Sequence, residues 1–73
     1  MIGMKTSARN EFAGTVKILE KGVVNTEVML DIGEGEELVA VITHESVESL
    51  GLKVGASACA HIKSSHVVLA VAE

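Results

Sequence analysis

The sequence predicts an all-β fold: a five-stranded, OB-like Greek-key barrel with one short helix after the third strand. Three observations carry this reading. Apolar and polar residues alternate with period 2 through most of the chain, the signature of half-buried strands. Glycine-bearing turns separate the alternating runs. One stretch, residues 43–50, replaces alternation with helical spacing.

The first strand covers residues 12–19, with Phe12, Val16 and Ile18 on one face and Gly14 in phase. Glu20-Lys21-Gly22 punctuates it. The second covers 23–32: Val24, Thr26, Val28, Leu30 and Ile32 share one face, and Val23, Asn25, Glu27, Met29 and Asp31 the other. Gly33-Glu34-Gly35-Glu36 is a turn. The third strand, 37–42, directs Leu38, Ala40 and Ile42 one way, so strands two and three form a hairpin. Thr43 then acts as a helix N-cap, and Glu45 sits in the first turn, where the helix dipole favours an anion. Val47 and Leu50 share a helical face, and Gly51 takes the C′ position. After Lys53-Val54-Gly55, residues 57–63 alternate again: Ala58, Ala60 and Ile62 against Ser57, Cys59, His61 and Lys63. Ser64-Ser65-His66 breaks that strand. Residues 67–72 are apolar on both faces, as in a strand that is central or sandwiched at a subunit contact. A helix after strand three is the element order of an OB barrel, which bears on fold and not on function.

At 73 residues the chain is read as one domain, 6–73, behind an N-terminal extension, 1–5. A single core of this size is marginal without disulfides, a metal or oligomerisation. Cys59 is the lone cysteine, which excludes an internal disulfide. Three scattered histidines (His44, His61 and His66) and Cys59 lack the ligand spacing of a metal site. Oligomerisation is left. The chain is 48% hydrophobic, with a single aromatic residue, Phe12. That is more apolar surface than one small core hides, which points to buried subunit faces.

The net charge is −4, which disfavours nucleic acid and anionic membranes as partners because both need a positive field. No basic segment followed by an apolar one opens the sequence, and no apolar run is long enough to span a bilayer. A lone cysteine is also what a reducing compartment permits, so cytoplasm is the expected location.

Three segments collect hydrogen-bond donors. Ser7-Ala8-Arg9-Asn10 offers a hydroxyl, a guanidinium, an amide and consecutive backbone N–H groups. Thr43 and Ser46 place two hydroxyls at the start of the helix, beside its free N–H groups. Lys63-Ser64-Ser65 offers an ammonium, two hydroxyls and turn amides. A tetrahedral dianion only accepts hydrogen bonds, so it needs converging donors and positive charge. Of the three segments, only the helix turn contains an acid. The plain alternative is a helix cap and a solvated turn with no ligand.

Other chemistries fit less well. Cys59 and His61 share a strand face, but a catalytic dyad also needs an orienting acid, and none has an evident place behind them. Single-strand nucleic-acid binding needs stacking aromatics and a basic groove. A ligand-free oligomerisation module would keep the apolar final strand and have no use for the donor segments.

Thr6-Ser7-Ala8-Arg9-Asn10, Gly14-Thr15-Val16, Lys21-Gly22-Val23-Val24, Glu27-Val28, Ile42-Thr43 with Ser46-Val47, Leu50-Gly51-Leu52 and Ile62-Lys63-Ser64-Ser65 together resemble the molbindin (Mop, molybdopterin-binding-protein) family. The same unit occurs as the TOBE module of molybdate-dependent regulators. The resemblance implies a cytoplasmic, non-enzymatic protein that takes molybdate or tungstate as ligand, with no cofactor, for storage or homeostasis. It implies a homo-oligomer, a hexamer built as a trimer of dimers, with oxyanion sites between subunits. By position, Ser7, Ala8 and Arg9 of one subunit would meet Thr43, Ser46, Lys63 and Ser64 of another. The hydroxyls and the Ala8 and Arg9 amides would donate, and Lys63 and the Arg9 guanidinium would supply charge. Lys21, Gly22, Val23 and His61 are the candidates for the family's second type of site, near the threefold axis. Two departures stand out: Glu11 where the family often has glutamine, and His61 and His66 flanking Lys63-Ser64-Ser65. A pterin would want aromatic stacking, so the donors suit a bare oxyanion better.

Overall fold

The computed structural model describes residues 6–72; the expected extension at 1–5 lies outside them. β1 spans Asn10–Lys21, β2 Asn25–Gly33, β3 Glu36–Thr43, α1 His44–Ser49 and β4 Ser57–Ile62, followed by a 3₁₀ turn at Ser64–His66. One antiparallel sheet has the order β3-β2-β1-β4, so β1 to β3 run on as consecutive hairpins and β4 returns beside β1. The fold is therefore mostly β with one short helix after the third strand, as the alternation requires.

β1 serves two ladders. Asn10 to Thr15 pair with β4, and Thr15 to Lys21 pair with β2. The changeover is marked by a bulge: Val16 pairs with Leu30 and Ile18 with Met29, leaving Lys17 as the extra residue. This corrects the face assigned from alternation. Val16 points into the core at 1% exposure, but Ile18, expected beside it, lies on the outer face at 43%, and Leu19 joins the core instead. A second correction concerns Val23 and Val24. They occupy the β1–β2 turn, closed by Gly22 N–H donating to the Asn25 carbonyl at 2.8 Å, and stand 99% and 75% exposed. The outward Lys17 pairs with Glu37 of β3, and its hydrogen bond to that carboxylate raises the ammonium above its ordinary 10.5. It stays charged through neutral pH, and such an exposed pair adds little stability.

The core is small. Val16, Val28 and Leu30 are buried with Thr26, ringed by half-buried Leu19, Leu38, Ala40, Ile42, Ala58 and Ala60. Helix α1 forms where alternation stops. Thr43, in extended conformation, caps it, and Gly51, at φ 64°, takes the left-handed position just past the Leu50 C-cap.

The fifth strand is the main departure. Residues 67–72 pair with no strand among the described residues, and Val68, Leu69 and Val71 stand 90%, 89% and 91% exposed. The apolar pattern signals burial but does not say against what. Four strands are present among the described residues, and the sheet curls around an open trough between its two edges, β3 and β4.

Candidate functional site

The three donor segments occupy definite places. The last rung of the β1–β4 ladder pairs Asn10 with Ile62. Ser7, Ala8 and Arg9 immediately precede that rung, and Lys63 and Ser64 immediately follow it, so the antiparallel ladder brings both segments to one end of the sheet. The Asn10 side chain fastens them there, its Nδ2 donating to the Ile62 carbonyl at 3.2 Å. Nothing in the alternation pattern signals that tie. In the segment itself, Ala8 N–H donates to Thr6 Oγ1 at 3.1 Å, while Ser7 and Arg9 are exposed.

Thr43 and Ser46 stand apart from these. Thr43 closes the β2–β3 ladder opposite Asn25, beyond the point where β1 ends at Lys21. Along β1 this is the end away from Asn10. The Thr43 hydroxyl accepts from Ser46 N–H at 3.1 Å and donates to Ser46 Oγ at 2.9 Å. The Ser46 hydroxyl keeps its own proton to offer outward. The cap has a measurable role: Thr43→Ala is expected to cost about 1 kcal/mol of stability, read from the urea midpoint at unchanged slope. A loss under a few tenths of that would mean the helix start is held by other contacts.

Charge favours an anion where the ladder ends. Arg9 and Lys63 flank the Asn10–Ile62 rung, and no acid lies in 7–10 or 63–65. The nearest one, Glu11, stands opposite His61 on the next rung. That rung sets an acid across from His61 without placing it as an orienting group behind Cys59 and His61. No hydrogen bond joins the three among the described residues, nor does any group of His, Cys, Asp and Glu there cluster to hold a metal ion. His66 lies exposed in the 3₁₀ turn.

The second set of candidates does not converge within one chain. Lys21 and Gly22 line an open hollow with Glu20, Asn25 and Glu27, whose two carboxylates oppose an anion. Val23 projects to solvent. His61 pairs opposite Glu11 near the start of β1, whereas Lys21 is at the other end of that strand. His44 Nε2 is buried without a hydrogen-bond partner beside the Thr43 cap, a feature that sequence alone could not show.

Comparison with known proteins bears on this arrangement. Residues 6–69 match the TOBE domain family. The chain is 46% identical over 66 residues to molybdenum-pterin-binding protein 1 of Clostridium pasteurianum, covering 90% of this chain and 97% of that one. It is 46% identical over 68 residues to the molybdenum transport protein ModE of Herbaspirillum seropedicae, where the match spans only 25% of the relative's length. Among solved structures, the cytoplasmic molybdate-binding protein ModG in a molybdate-bound form superposes with a TM-score of 0.86 at 52% identity, over 90% of this chain and 47% of that one. No helix among the described residues is long and apolar enough to cross a membrane.

Proposed function

The chain belongs to the TOBE domain family, and from that premise we propose that it binds molybdate or tungstate reversibly, as a binding module and not as an enzyme. The observation that carries the proposal is the convergence of two donor segments, bearing Arg9 and Lys63, at one acid-free end of the β1–β4 ladder. The names of its relatives, a molybdenum-pterin-binding protein and a molybdate-binding protein, support molybdate as the anion. Ser7, Thr43, Ser46 and Ser64 are assigned as hydroxyl donors, Ala8 and Arg9 as backbone donors, and Lys63 with the Arg9 guanidinium as the charge.

Thr43 and Ser46 lie at the far end of β1 in their own chain, which supports a site completed by the α1 start of a neighbouring subunit. The proposed assembly is a hexamer, a trimer of dimers, of single domains spanning 6–73 in the cytoplasm, holding the anion in store. A second site from Lys21, Gly22, Val23 and His61 would also need more than one chain, since one chain keeps them apart.

A thermal-shift series tests the reading. A ligand that binds only the folded state at 100 times its dissociation constant adds about 2.7 kcal/mol. Molybdate and tungstate are expected to raise the melting temperature by several degrees, and sulfate, a smaller dianion, far less. A melting temperature indifferent to millimolar molybdate would reduce the protein to an assembly module.

A further inference from the structure

Arg9 and Lys63, the two charges assigned to the anion, lie on segments that run past the last rung of the β1–β4 ladder. Neither side chain is held by an ion pair among the described residues. Beyond that rung, no backbone hydrogen bond joins 6–9 to 63–66 there. Segments without a mutual bond are free to splay, and donors that must be gathered by the ligand bind it more weakly than donors already in place.

Asn10 bridges that gap. Its half-buried side chain donates from Nδ2 to the Ile62 carbonyl at 3.2 Å, across the ladder. The Ile62 carbonyl and the Lys63 N–H belong to one planar trans peptide group, so holding the first sets the direction of the second. Lys63, at φ −65° and ψ 132°, then leads into a closed turn. Its carbonyl accepts from His66 N–H at 2.9 Å, and the Ser64 carbonyl accepts from Val67 N–H at 3.3 Å. The turn that carries Lys63 therefore hangs as one unit from the peptide that Asn10 grips. On the other side, Asn10 is covalently next to Arg9. One side chain thus links the backbones that bear both charges.

We propose that Asn10 is a positioning residue for the anion: without touching it, the Asn10 amide sets where Lys63 stands relative to Arg9. This rests on the molybdate reading given above. An asparagine that served the ladder alone would lower stability when lost and leave the anion's donors as they were.

Asn10→Leu keeps the size of the side chain and removes its donor, and Asn10→Ala is the second variant. Each is made in the full parent chain and in Lys63→Ala. Molybdate binding is measured by isothermal titration, with sedimentation and melting of the anion-free proteins alongside. In the parent, each substitution should weaken binding about 3- to 10-fold, the worth of one neutral hydrogen bond. In Lys63→Ala the same substitution should weaken it less than about twofold, because the group that Asn10 positions is gone, whereas independent contributions would multiply. Equal factors in the two backgrounds would overturn the positioning role and leave the molybdate reading standing. Parent-like affinity in both variants, with Lys63→Ala still weakened, would do the same. Loss of the fold or of the oligomer in both variants would also overturn it, since Asn10 would then be a structural residue. A parent chain that does not bind molybdate would overturn both readings.

Discussion

A Gly14→Val chain is expected to be largely unfolded at room temperature, or to melt at least 10 °C below the parent. The reason lies in how closely β1 passes β2 at its corner. A Cβ at Gly14 would stand 2.6 Å from the Asp31 carbonyl oxygen and 3.1 Å from Ile32 Cγ2. The first contact is with backbone, which a rotamer change cannot relieve, and a β-branched side chain adds two more carbons to the conflict. Overpacking typically costs about 1–3 kcal/mol and sometimes more. A chain of this length has roughly 4–11 kcal/mol in all, at about 0.05–0.15 kcal/mol per residue, and each kcal/mol lost lowers the melting temperature by about 4–8 °C. Circular dichroism melts decide the matter: a melting temperature within 3 °C of the parent would show that β1 and β2 separate there at little cost.

Lys63→Ala is expected to weaken molybdate binding about 10- to 100-fold while leaving the oligomer intact. A hydrogen bond to a charged group contributes about 1.5–3 kcal/mol, and each 1.4 kcal/mol is about tenfold in affinity. Lys63 sits past the end of β4 and its backbone caps a turn without using its side chain, so truncation removes charge and little packing. Arg9→Ala should act in the same direction from the other side of the Asn10–Ile62 rung. Isothermal titration of both variants, with sedimentation to confirm the mass, tests the pair. Unchanged affinity in both would place the anion elsewhere.

The sequence made some of this architecture plain and concealed the rest for physical reasons. The β2–β3 hairpin follows from unbroken alternation over Thr26, Val28 and Leu30 against Leu38, Ala40 and Ile42. The helix follows from Thr43 and Gly51. Ile18 was misplaced because a bulge changes parity without any sequence mark: Lys17 is an ordinary strand residue until its neighbours' pairing is known. Val24 was misplaced because an apolar residue in a turn reads as strand when its only record is its hydropathy. The fifth strand was expected from the apolar run 67–72, but pairing is a property of two segments, and among the described residues no strand pairs with that run. For the site, the donor segments were legible one by one. Their spacing in the chain did not reveal that 7–9 and 63–64 share an end of one ladder while Thr43 and Ser46 occupy the other.

The single unpaired residue in β1 also sets a tolerance on the whole molecule. Asn10 to Thr15 are positioned by β4, and Thr15 to Lys21 by β2. Deleting one residue between Asn10 and Thr15 would turn the preceding part of the strand over and shift it by one step, about 3.3 Å. The segment carrying Arg9 would then slide past Lys63 by more than the length of a hydrogen bond. Length in β1 is therefore as constrained as residue type: an in-frame loss of one codon there would be a binding mutation although it removes no ligand-contacting atom.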